Sequence, residues 1–217
     1  MQATSVLVVA LLLLASAGRG AAIEIAIDRA AIGRALVLAR ASEAERAAFH
    51  GRYLRMLDDP LVDRFELITE FRRVVLFAEE RARFGDLPPG VNQAEEALRP
   101  WRNRLSIVAH LRFHPQNVYV SVPSYEVALG NEKGGPAAQD ALDTRRVPLY
   151  GVPGSGPQAT SIPAPPAAPG PTSTILGASV EAIFEAEAAS RVRLRPVRVL
   201  LDGKELARLV IDLGQFE

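Results

Sequence analysis

Hydrophobic spacing along this chain changes once, at Trp101, and that change constrains the fold more than any other feature. Before it, apolar residues recur at helical intervals; after it, they alternate with polar ones. A period of 3.6 buries one stripe of a helix and a period of 2 buries one face of a strand, so helices precede a sheet. Helices and strands segregated in this way predict an α+β fold rather than the alternating units of a parallel sheet.

The helical part opens at Asp28, which can cap a segment carrying Ile32, Leu36 and Ala39 on one face. Ser42 with Glu45 reads as a capping box for a second segment bearing Phe49, Tyr53 and Met56. Asp59 followed by Pro60 is a further helix start, an acceptor for free N–H groups and then a residue lacking one. The spacing predicts a helix from there to Arg83 or Phe84, stopped by Gly85. Leu61, Phe65, Leu67, Ile68, Phe71, Val74, Val75 and Ala78 share one arc of it, opposite Asp63, Glu66, Glu70, Arg73, Glu80 and Arg81. Val62 and Phe77 fall on the polar side, so a second element is expected over them. The expectation is a helical hairpin joined at residues 57–60, then a short third helix opened by Asn92 and Glu95 and ending near Pro100.

Beyond Trp101, Ile107, Ala109, Leu111 and Phe113 form one half-buried strand, and Val118, Val120 and Val122 form another; Tyr125, Val127 and Leu129 follow after Pro123. Residues 197–213 read as a hairpin turning at Asp202 and Gly203. A two-residue loop would set Val199 opposite Leu206; a three-residue bulged turn also fits. Residues 177–190 alternate as a strand, although their Ala and Glu content favours a helix; the strand is preferred for its sheet-forming neighbours. Residues 130–146 read as loop, and the Pro/Gly-rich residues 147–174 as a disordered insertion. The expected architecture is an N-terminal helical hairpin and short third helix on an antiparallel sheet or small sandwich of about five or six strands. Residues 18–104 are its helical region and 105–217 its β-rich region, in one composite domain.

The first 17 residues carry an address. Residues 6–14 are an apolar core, and Ala15-Ser16-Ala17 places small residues at a cleavage site. That is an export signal with cleavage after Ala17, although no Lys or Arg precedes the core. The alternative is an N-terminal membrane tether, but the apolar run is about 12 residues against the roughly 20 that span a bilayer. No transmembrane segment is expected after cleavage.

With 25 basic and 25 acidic side chains, the balanced charge argues against a nucleic-acid partner. The chain has no Cys, which removes disulfides, thiol nucleophiles, thiolate metal sites and lipidation at a cysteine. Only Lys133 and Lys204 are lysine; the Arg, Ala, Gly and Pro excess fits GC-rich coding in a bacterium.

Candidate chemistry is sparse. His110 and His114 would share a metal on a helix, but a strand sets them about 13 Å apart, so no metal and no cofactor are expected. His50 reads as a surface helical residue. The adjacent carboxylates Asp58-Asp59, Glu79-Glu80 and Glu95-Glu96 read as caps and ion pairs, and Ser155 lies in a Pro-rich stretch unsuited to a nucleophile. The densest cluster is the run around Trp101, with Arg102, Arg104, His110, Arg112 and His114 as candidate ligand-binding residues and Arg99, Gln116 and Asn117 beside them. Its plainer reading is a helix-to-sheet junction packed by the tryptophan. No catalytic residues are assigned. The sequence thus points to an exported, periplasmic or secreted, non-enzymatic binding or structural protein whose partner is another protein or an envelope component. The alternative is an enzyme or anionic-ligand binder with its site at Arg112, His110 and His114.

Overall fold

Residues 26–130, 139–151 and 174–215 are described by a computed structural model. The signal segment lies outside them, as does all of the Pro/Gly-rich insertion except residues 147–151 and Thr174. The fold is α+β: helices combined with two antiparallel sheets, one of five strands and one of three.

Helix α1 (Arg29–Leu38) is capped as its sequence predicts, Asp28 accepting from the Ala31 amide. Helix α2 (Glu43–Gly51) carries the Ser42–Glu45 capping box. The chain then departs from the expected hairpin. Strand β1 (Leu54–Met56) and strand β2 (Val62–Ile68) pair with each other, and helix α3 (Glu70–Arg83) begins only after them. Asp59 is the reason. Its Oδ1 accepts from the amides of Leu61 and Val62, both at 2.8 Å, closing a turn with the bonds a helix cap would make. Thr69 caps α3 instead, and Gly85 ends it at a φ of +74°.

Helix α4 (Val91–Leu98) starts at Gly90, whose amide is bonded by Gln93, rather than at Asn92. Asn92 is otherwise engaged, accepting from Arg29, which also pairs with Glu95. A turn of 3₁₀ helix, Arg99–Trp101, leads into β3 (Arg104–Arg112).

Strands β4 (Tyr125–Leu129), β5 (Asp143–Gly151) and β6 (Thr174–Glu185) follow, then α5 (Ala186–Ser190), β7 (Leu194–Leu201) and β8 (Lys204–Asp212). The first sheet runs β1-β2-β3-β6-β5 and the second β4-β7-β8. Eight strands are thus present among the described residues, against the five or six expected. Part of the predicted loop and the first residues of the predicted insertion are strand β5, which Pro148 tolerates because β5 is an edge. Residues 177–190 divide: strand to Glu185, then the helix that their Ala content favours. Residues 118–122 form no strand at all.

The β7–β8 turn is the two-residue loop, with Asp202 and Gly203 both at positive φ and Leu201 opposite Lys204. A bulge then shifts the register, so Val199 faces Ala207 rather than Leu206.

One face of the five-stranded sheet is apolar, with Phe65, Leu67, Ile107, Ala109, Val180, Ala182 and Phe184 fully buried. Val127 and Leu129 from β4, Val197 and Val199 from β7, and Ile32, Val75 and Leu98 from the helices join it in one continuous core. The opposite face carries Arg64, Glu66, His110, Ser179 and Glu181. No helix among the described residues is long and apolar enough to cross a membrane.

Candidate functional site

The polar sheet face holds a chain of contacts drawn from three neighbouring strands. His110 stands opposite Arg64 on one side and Ser179 on the other. Its Nδ1 lies 3.2 Å from Ser179 Oγ and its Nε2 3.0 Å from a Glu66 oxygen. The other Glu66 oxygen accepts from Arg72, which is buried and also donates to the Leu67 carbonyl and, at 3.4 Å, to His50 Nδ1. His50 Nε2 in turn meets Glu79 at 3.0 Å. His50 is therefore half-buried and doubly engaged, not the surface residue its helix suggests.

Carboxylate, imidazole and hydroxyl in line are the parts of a hydrolytic relay. Ser179, however, lies in mid-strand between β3 and β5, where the backbone around it is committed to the ladders on both sides. No sharp turn presents its hydroxyl and no free amides flank it to hold an oxyanion. What the row does accomplish is to pair Glu66 with His110 and Arg72, and Glu79 with His50 and Arg46, on a half-buried face. Burial works to raise the Glu66 carboxyl, but the His110 hydrogen bond and the Arg72, His110 and Arg64 charges outweigh it and hold the group below the ordinary glutamate range. Glu79 is lowered against burial in the same way, by His50 and Arg46.

The candidate residues named from the sequence fall in separate places. Arg102 sits at the helix-to-sheet junction, donating to the Ile27 carbonyl at 2.6 Å and to Glu70 at 2.9 Å. Glu70 is buried and also accepts from the Asn103 amide at 2.6 Å, so this latch ties Ile27, α3 and the approach to β3 together. Asn103 adopts a φ of +56° there. Arg104 opens β3 opposite Glu185. His110 belongs to the polar row.

Arg112 and His114 meet in a cleft. It is an open depression of about 730 Å³ between the turn at residues 58–61 and the connection from β3 to β4. The Arg112 amide binds the Leu61 carbonyl and the Phe113 amide binds the Leu176 carbonyl, both at 2.8 Å, which fixes the two walls. Phe113 and Tyr125 stack with centroids 5.8 Å apart, and Tyr119 meets Phe113 edge-on at 5.1 Å. Asn117 clamps the rim, donating to the carbonyls of His114 and Ile175 and accepting from the Tyr119 amide. Burial and a hydrogen bond with Tyr119 push the Tyr125 phenol up to about 12.

Charge on the rim is mixed. Arg112 is 61% exposed and reaches Asp63 at 3.4 Å, while Asp58 is exposed and makes no ion pair or hydrogen bond among the described residues. The aromatic floor and the acidic wall were not apparent in the sequence. The one local signal was the unusual run Asp58-Asp59-Pro60, which is a turn and not a cap. A second open depression of about 330 Å³, beside Arg99 and Arg102, is lined by Asn92, Glu95 and Glu96, residues already engaged with Arg29 and Arg99. Among the described residues no three His, Asp or Glu side chains converge as a metal ion would require. Compared with family models, with curated proteins and with solved structures, the chain matches none.

Proposed function

We propose that the chain is an exported, non-enzymatic binding protein, periplasmic or secreted, that engages another protein through the cleft beside Arg112 and His114. The observation that carries this reading is the composition of the cleft: stacked aromatic rings for a floor, an Asp58 carboxylate with no ion pair among the described residues on one wall and an exposed Arg112 on the other. Aromatic rings give contact area at little entropic cost, and a rim with both signs of charge sets orientation. The occupant that suits it is an extended segment carrying an apolar or proline side chain for the floor and a cation for Asp58. The export half of the proposal is supported by the apolar core and small-residue cleavage pattern of residues 6–17.

A photo-crosslinking residue at Gln116, exposed beside the cleft, tests the reading in cells, with the same residue at Arg83 on α3 as control. The expected result is a discrete adduct from position 116 that disappears in Asp58→Lys and Tyr119→Ala. Equal adducts from both positions, or an adduct indifferent to those substitutions, would overturn it.

A further inference from the structure

Residues 118–122 read Val-Tyr-Val-Ser-Val, as strand-like as any stretch in the chain, yet they pair with nothing among the described residues. Val118 is 91% exposed and Val120 97% exposed, while Tyr119 turns back onto Phe113. The amides of Val118, Val120, Ser121 and Val122 have no partner among the described residues. Two exposed valines and a row of free amides form a template for another strand.

The protein guards its regular edges. Strand β8 presents exposed Lys204, Glu205 and Arg208, β5 carries Arg145, Arg146 and Pro148, β1 is three residues long, and β4 is five residues long with Glu126 exposed and Leu129 bridged to Gln139. Residues 116–124 contain no charge at all. An unguarded, uncharged, β-branched segment on an otherwise guarded molecule is costly to leave uncovered.

We infer that this segment is a self-association strand, pairing antiparallel with the same residues of a second copy of the chain. The sequence is complementary to itself about Val120. Centred there, Val118 faces Val122, which rests partly on the core in the single chain, Tyr119 faces Ser121, and Val120 faces its own counterpart, so apolar residues meet and no charges are opposed. A two-fold contact of this kind closes on itself. Pro115 and Pro123 bracket the segment; each lacks a ladder donor, which limits the pairing to a short ribbon. The free chain bends at Val120 and Ser121, so pairing straightens it.

Sedimentation velocity on the purified chain over a range of concentrations tests this directly. The expected result is a concentration-dependent dimer that Val120→Lys converts to monomer by setting like charges opposite one another. Because Val120 is almost wholly exposed, the melting temperature of dilute Val120→Lys should match that of the dilute parent chain, which separates lost pairing from lost folding. The absence of Cys permits a second measurement: Val120→Cys should form a covalent dimer under mild oxidation, and Lys204→Cys on β8 should not. A monomer at every concentration, a dimer that survives Val120→Lys, or equal crosslinking at both positions would each overturn the inference.

Discussion

Glycine 177 and glycine 33 look alike in the sequence and stand in opposite environments. A Cβ at Gly177 would lie 2.3 Å from the Leu111 carbonyl oxygen, which is backbone of the adjacent strand and cannot swing aside. Gly177→Ala is therefore expected to wedge β3 from β6 next to the Phe113–Leu176 bond, at a cost of about 1–3 kcal/mol by urea denaturation. A Cβ at Gly33, inside α1, meets nothing within 4 Å. Gly33→Ala should instead stabilise by about 0.5–1 kcal/mol, because the unfolded chain loses freedom and the helix gains a better former. Neither environment was legible beforehand, since what a glycine touches is decided by strands far away in the chain.

Between elements, Trp101 packs the helical block against the sheet. Its ring lies 3.6 Å from the Arg73 guanidinium of α3 and 5.5 Å from that of Arg145 on β5, so it bridges the helices and the far edge of the sheet. Trp101→Ala should lower the melting temperature, with a loss of about 1–3 kcal/mol; a melt indistinguishable from the parent would remove the bridge. Helix starts backed by a side-chain acceptor and a following helical stripe, at Asp28 and Ser42, were legible because their signals are local. Strand β2 was not. Its buried residues are Val62, Phe65 and Leu67, and the irregularity between Val62 and Arg64 spaces the first two by three, as a helix would. Residues 118–122 failed in the opposite sense: the alternation is real, but a strand exists only when another strand meets it. For the site, the residue types at Arg112 and His114 stood out, whereas the acidic wall they face comes from a turn about fifty residues away, and the floor rings Phe113, Tyr119 and Tyr125 read only as strand residues until the chain folds back on itself.

For the molecule as a whole, the network through Glu66, Arg72, His50 and Glu79 makes acid stability a readable property. Both glutamates are held below their ordinary range in the folded state, so the folded chain binds fewer protons than the unfolded one wherever unfolded carboxyls begin to protonate. Their contribution is complete above an unfolded glutamate's pKa of about 4.3 and is lost as the pH falls through the folded values below it. Urea midpoints measured from pH 7 to pH 3 should decline on the acid side, and Glu79→Gln should flatten that decline; an unchanged slope would show that the pairings contribute nothing.

The strand order β1-β2-β3-β6-β5 also dictates a timetable. The nine residues of β3 have β2 beside them early in synthesis, but their other neighbour begins only at Thr174. Until that late strand has emerged, β5 has nothing to pair with and the centre of the sheet stays open. A growing chain is thus kept from closing its first sheet prematurely, and completion waits for residues 174–185.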